Sequence, residues 1–247
     1  MSNTVLLLDI GNSRVKWALA EGAQWLAEGA STHAESGHLF DEWDRFPAPS
    51  IAVASNVAGN RRAQPFSAYW QARGVALHWM QAGPEDGGVR NLYQPPQRLG
   101  SDRWAALIGA RARVHGACLV VSAGTAVTVD ALSENDEFLG GLILPGRRLM
   151  QESLAGGAHA LENSAGHAVD FPRNTADAVA SGIAAALTGS VQSGYRRLAA
   201  VSANKPACIL TGGDAEWLAG QLSFGVIIAP KLVLEGLLIM YRGKAPK

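Results

Sequence analysis

The strongest constraint on the fold is that the chain begins twice. Leu6-Leu7-Leu8-Asp9-Ile10-Gly11-Asn12-Ser13 lines up with Val120-Val121-Ser122-Ala123-Gly124-Thr125-Ala126. Each has an apolar strand, a polar position, then Gly and a small hydroxyl or amide residue. A second and a third strand pattern follow both, at 14–20 and 24–29 and again at 127–131 and 138–143. A further apolar strand at 51–55 is matched at 207–210. Short apolar strands resemble one another by chance, so one match would carry little weight. Three matches in the same order favour a duplication. The expectation is two like-folded α/β halves, 1–115 and 116–247, joined near Gly116 without a flexible linker. Ligand would then sit between the halves.

Helical patterns fill the rest. They cover 36–46, 61–73, 102–115, a stretch from Pro145-Gly146 to about 154, a long Ala/Gly segment at 175–197, a start at Asp214, and 231–240. A strand is expected at 76–79. Residues 83–99 hold three prolines and three glycines and read mostly as an ordered loop.

Composition narrows the partners. A chain of 247 residues buries a substantial core without disulfides. Lys+Arg and Asp+Glu are 21 each, so the formal net charge is zero. That argues against nucleic acid as a partner, which needs an excess basic patch, and against a polybasic membrane anchor. The 42 Ala and 28 Gly permit close backbone approach, and a charged fraction of 17% opposes self-association little, which hints at an oligomer. Cys118 and Cys208 each open an apolar run and read as small buried hydrophobes, fitting a reduced, cytoplasmic protein. The N-terminus lacks the basic region of a signal peptide. The uncharged stretch 178–195 is broken by Ser, Thr, Gln and Gly and is too polar for a membrane span.

The common phosphate and nucleophile signatures are missing. There is no Gly-x-Gly-x-x-Gly, no Walker A sequence, no His-Arg-Asp or Asp-Phe-Gly, and no Gly-x-Ser-x-Gly. What remains is the segment Asp9, Ile10, Gly11, Asn12, Ser13, Arg14, Val15, Lys16. A strand delivers a carboxylate to its end, a tight turn follows, and a lysine returns. Such a hairpin holds phosphate oxygens on backbone N–H groups, and its carboxylate holds Mg²⁺; an ordinary turn with a turn-forming Asn is the other reading. Gly124 and Thr125, with Asp130 beyond, form the matching hairpin, and two such turns facing each other would clamp a polyphosphate. Gly100-Ser101-Asp102-Arg103 opens a helix, with Ser101 as its cap. Asp102 there either complements the helix dipole or acts as general base on an alcohol, with Arg103 holding an anionic group. Tyr93, just before, either lines the same pocket or is an exposed loop aromatic. Thr211-Gly212-Gly213-Asp214 admits a ring or phosphate close to the backbone, or is a plain strand-to-helix turn with Asp214 as N-cap.

As an ordered set these residues resemble the type III pantothenate kinases, the Bvg accessory factor family of the acetate kinase/Hsp70/actin superfamily. The resemblance runs over nearly the whole chain. It rests on Asp9-x-Gly-Asn-Ser-x-x-Lys16, Tyr93, Leu99 through Arg103, Gly124-Thr125-Ala-x-Thr-x-Asp130 and Gly140-Gly-x-Ile-x-Pro-Gly146. Asn174-Thr175 with Ala178, Val179 and Gly182, and Thr211 through Asp214, complete the set. It implies an α/β fold of duplicated ribonuclease H-like (actin-like ATPase) halves, a mixed sheet flanked by helices in each. It implies a transferase that phosphorylates pantothenate with ATP, the first step of coenzyme A biosynthesis. The alternatives are a non-catalytic accessory or regulatory factor of the same family, or a related small-molecule kinase.

Roles carry over by position. Asp9 through Lys16 would bind ATP phosphates, with Asp9 near Mg²⁺ and Asp130 supporting the metal. Thr125, with Gly124, would contact ATP. Asp102 would deprotonate pantothenate. Tyr93 and Gly100 through Arg103 would bind it, and Thr175 would reach it from the partner of a homodimer whose substrate site lies near the interface. Members of the family often carry Asp where Ser122 stands, and that Asp binds K⁺ or NH₄⁺. Ser122 is a poorer ligand for a monovalent cation and leaves that requirement open.

Overall fold

The computed structural model describes residues 3–157 and 166–244. Its chain divides into two compact units, Met1–Ala112 with Lys231–Lys247, and Arg113–Pro230.

In the first unit the strands are β1 (Thr4–Ile10), β2 (Arg14–Glu21), β3 (Gln24–Thr32), β4 (Ile51–Asn56) and β5 (Leu77–Trp79), in sheet order β3-β2-β1-β4-β5. The first three pair antiparallel; β1, β4 and β5 run parallel. β1 is buried almost throughout because it is central and covered on both faces, so it reads as a continuous apolar run. β3, at the edge, alternates. Leu6, Leu8, Ile10, Val15, Trp17 and Leu19 face one side. There they meet α1 (Gly37–Trp43) and α2 (Asn60–Ala72). Trp17, Trp43, Phe66 and Trp70 share that core, which accounts for three of the seven tryptophans. The segment expected to be a loop contains two short strands, β6 (Glu85–Asp86) and β7 (Val89–Asn91), and a 3₁₀ turn at Pro96–Arg98. Helix α3 (Ser101–Arg113) follows and is buried nearly along its full length.

The second unit repeats the plan. β8 (Cys118–Ala123), β9 (Ala126–Leu132) and β10 (Glu137–Pro145) are antiparallel neighbours. After α4 (Arg147–Gly157) and α5 (Thr175–Ala199) come β11 (Ala207–Thr211), α6 (Ala215–Ala219) and β12 (Ile227–Ile228). The order β10-β9-β8-β11-β12 reproduces the first unit strand for strand, and the senses match as well. The duplicated α/β fold expected from the repeat is therefore present. Gly194 on α5 packs on Leu119 and Val129, where an added Cβ would lie 2.8 Å from the valine. The 178–195 stretch is thus a close-packing helix, and no described helix is long and apolar enough to cross a membrane.

The closing helix, α7 (Leu232–Lys244), groups with the first unit rather than with the half that precedes it in sequence. The reason is backbone contact. A Cβ on Gly236 would lie 1.8 Å from the Ala105 carbonyl oxygen of α3, and one on Gly109 of α3 would lie 2.4 Å from the Leu232 carbonyl. The two helices touch through paired glycines that only Gly can supply.

Candidate active site

In the first unit the sheet register builds the site. Asp9 lies opposite Lys16 on β2 and opposite Ser55 on β4. Ser55 is fully buried, and its hydroxyl lies 2.8 Å from the Ser101 hydroxyl. This pair ties the start of α3 to the ends of β1 and β4. Ser101 is thus spent on the sheet rather than on capping, and the Gly100 carbonyl accepts the first helical bond, from the Trp104 N–H at 3.0 Å. The tie brings Asp102 beside Asp9. One oxygen of Asp102 accepts the Arg103 N–H at 2.8 Å.

Both carboxyls are shifted upward from the ordinary range. Burial pushes Asp9 up to about 7, with the Asp102 charge adding to the rise and Lys16 opposing it. The Asp9 Oδ1 is sealed from solvent and meets no hydrogen-bond donor among the described residues. Burial also raises Asp102, against the pull of the Arg103 N–H and guanidinium. A buried carboxylate lacking a donor is a fit for a divalent cation, which takes oxygen ligands. No three His, Cys, Asp or Glu side chains cluster as a metal cage among the described residues. That donor set suits Mg²⁺, which binds through one or two carboxylates with water and phosphate oxygens completing its shell.

The turn after β1 is closed by the Gly11 N–H on the Arg14 carbonyl at 3.0 Å. The Gly11 and Asn12 carbonyls are held from outside the turn, by the His33 ring at 2.7 Å and by the Arg62 guanidinium. Neither residue stood out in the sequence.

Tyr93 is placed by Asn91, which is buried. The Asn91 amide donates to the Gly83 and Pro96 carbonyls at 3.0 and 3.2 Å, and its oxygen accepts the Tyr93 N–H at 3.0 Å. The buried Arg103 guanidinium lies 5.8 Å from the centre of the Tyr93 ring, within cation–π range. Tyr93 is half-buried rather than a freely exposed loop aromatic. A cavity of about 660 Å³ opens alongside, lined in part by Asn56, Val57, Trp79, Gln97, Gly100 and Ser101.

The second unit gathers a different set. The Gly124–Thr125 turn is clamped by two neighbours. The Gly146 N–H donates to the Thr125 carbonyl at 2.8 Å, and the Asp214 N–H donates to the Ala123 carbonyl at 3.0 Å. A Cβ on Gly146 would lie 2.1 Å from the Gly124 carbonyl, and Gly212, at φ +102, has the Ala123 carbonyl 2.2 Å from where its Cβ would be. The glycines at 146 and 212 therefore serve the 124–125 turn directly. Asp214 makes no side-chain cap; its carboxylate pairs with Arg147 at 3.2 Å, and that guanidinium lies 4.9 Å from the Trp217 ring centre. Ser122 stands in register between Thr128 and Thr211, a row of three hydroxyls with no charge among them. Asp130, two residues beyond Thr128, is buried. Thr175 is exposed at the first position of α5, whose N-cap Asn174 accepts the Asp177 N–H. It lines an apolar groove of about 680 Å³ with Pro145, Leu149, Leu154 and Gly182.

The first unit thus joins Asp9 through Lys16 with Tyr93 and Gly100 through Arg103. Gly124, Thr125, Ser122, Asp130 and Thr175 belong to the second.

Comparison with known proteins fits this geometry. The chain is 47% identical over 239 residues to the type III pantothenate kinase of Azoarcus sp. (strain BH72), covering 96% of this chain and 90% of that protein. A Baf family protein from Campylobacter jejuni superposes with a TM-score of 0.63 at 22% identity, over 96% of this chain and 97% of that one. The activator of the 2-hydroxyisocaproyl-CoA dehydratase from Clostridium difficile, solved with bound ADPNP, gives 0.58 at 13% identity, over 98% and 96%. Those two likenesses bear on the fold, which is of the actin-like ATPase and sugar-kinase type. The family model described as type III pantothenate kinase matches residues 5–197. The chain belongs to the type III pantothenate kinase family.

Proposed function

We propose that this protein transfers the γ-phosphoryl group of ATP to the primary hydroxyl of pantothenate, giving 4′-phosphopantothenate. The observation that carries the reading is the pair of half-buried carboxylates, Asp9 and Asp102, brought together at the end of β1 and the start of α3 in a chain of this family. Their raised affinity for protons divides the work. Asp102, with Arg103 and Tyr93 beside it, accepts the proton of the alcohol as its oxygen bonds to phosphorus. Its raised pKa brings it closer to that of the group it deprotonates. Asp9, with its unpartnered oxygen, would hold Mg²⁺ with support from Asp130, and Mg²⁺ supplies charge neutralisation at the phosphates. The backbone from Gly11 to Ser13, with Lys16, and the Gly124–Thr125 turn orient those phosphates. Phosphoryl transfer asks mainly for such positioning and electrostatic support.

Three further points belong to the same reading. A homodimer covers the apolar groove beside Thr175, and Thr175 reaches the partner's substrate. The Ser122 hydroxyl, flanked by Thr128 and Thr211, holds K⁺ or NH₄⁺ weakly, so stimulation by either is modest. The enzyme works in the cytoplasm.

The test is to incubate the purified protein with pantothenate, ATP and Mg²⁺, with K⁺, NH₄⁺ or neither, and to look for phosphopantothenate. None under any condition refutes the reading and returns the non-catalytic alternative. Asp102→Asn is expected to abolish turnover by far more than it weakens ATP binding; retained turnover rejects it as the base.

A further inference from the structure

The turn at Gly11 and Asn12 is held through its carbonyls, and in a planar trans peptide the carbonyl and the following N–H point opposite ways. Fixing the Gly11 oxygen against the His33 ring therefore aims the Asn12 N–H away from it, off the other side of the turn. A carbonyl facing a polyphosphate repels it, whereas an N–H attracts it. The direction of this one peptide decides which of the two the nucleotide meets. The backbone at His33 is itself well fixed. The Ser36 hydroxyl donates to the His33 carbonyl at 2.9 Å, and Thr32 and Glu35 join around it by a side-chain bond of 2.8 Å and a backbone bond of 3.2 Å. The acceptor is a carbonyl, so the ring donates from Nε2. Arg62, in the first turn of α2, holds the neighbouring Asn12 carbonyl in the same manner.

We infer that His33, seconded by Arg62, is a positioning residue for the nucleotide: it turns the Gly11–Asn12 peptide so that an N–H rather than a carbonyl meets the phosphates. Neither side chain is assigned to touch substrate. The inference rests on the reading of this turn as a phosphate site.

The test separates ATP from pantothenate. His33→Phe keeps a planar ring and removes the donor; His33→Gln restores an N–H at similar reach. His33→Phe is expected to raise KM for ATP about ten-fold, the scale of one lost hydrogen bond. KM for pantothenate should stay unchanged, and His33→Gln should recover most of the loss. Arg62→Ala, at an exposed position, reads the same turn should His33→Phe fold poorly; a smaller rise confined to ATP, restored by Arg62→Lys, is expected. A wild-type KM for ATP in both His33→Phe and Arg62→Ala overturns the inference, as does a loss that falls equally on pantothenate. Calorimetric binding of Mg·ADP to the same variants keeps the two readings distinct. Weakened binding supports the inference even if the wild-type protein forms no phosphopantothenate, a result that would refute only the proposed reaction.

Discussion

Asp9 is expected to make the ligand-free protein less stable at neutral than at acid pH, by an amount that can be measured. Unfolded, an aspartate releases its proton near the ordinary 3.8; folded, Asp9 holds it to about 7. Between those values the folded chain binds a proton that the unfolded chain has lost. Stability therefore falls as pH rises through this window, and the penalty is complete above about 7. The gap corresponds to at most about 4 kcal/mol. Asp9 is only half-buried as a whole residue, and about 2–3 kcal/mol is the working figure after allowing for solvent screening. Asp9→Asn removes the ionisation and keeps the shape. Without Mg²⁺ or nucleotide, variant and native protein should unfold at similar temperatures near pH 3.5, below the unfolded value. At pH 8 the variant should be higher by about 5–10 °C, on a scale of about 2–4 °C per kcal/mol for a chain of this size. Groups remote from Asp9 affect both proteins alike and drop out of the difference, while Asp102 and Lys16, which face it, share in the effect. Mg·ATP should then raise the melting temperature of the native protein by more than that of the variant, because a cation relieves only a charge that exists. A difference between the two proteins that does not change with pH would refute the argument, whatever its size.

Two further perturbations probe packing and the cation. Gly236→Ala places a Cβ on the Ala105 carbonyl, and no rotamer relieves it; a loss of about 3 kcal/mol or more in urea unfolding is expected. Gly243→Ala, on the same helix but with its nearest neighbour at 3.7 Å, should cost nothing or add about 0.5–1 kcal/mol through helix propensity. Equal losses at both sites would refute the backbone-contact account. Ser122→Asp places a carboxylate between Thr128 and Thr211, and turnover should become strongly dependent on K⁺ where the native protein responds little. A flat response in the variant would remove position 122 from the cation question.

The repeat was legible because its signals are local. A buried strand, a polar position and a Gly turn each show in a few residues, and their order recurs at 120–126. The placement of α7 was not, since Gly236 meets Ala105 across more than a hundred residues and a lone Gly in a helical pattern states no partner. Residues 83–99 were legible as an ordered loop, but their two short strands were not. Their Pro and Gly content signals turns, while the order comes from buried Asn91, which reaches the Gly83 and Pro96 carbonyls and so sets Tyr93. β12 is two residues long, too short for any period.

The site divides along the same line. Asp9, Lys16 and Asp102 announce themselves because side-chain chemistry is written in residue type. What they can do depends on surroundings that are not. The Ser55–Ser101 bond draws the two aspartates together, and burial then raises both. His33 lies further from sight, because its partner is the Gly11 carbonyl, a group every residue carries. A turn that grips phosphate with its backbone must be gripped by something else in turn. Residues that supply that support are recognised by where their atoms end, and a motif built from the turn alone omits them.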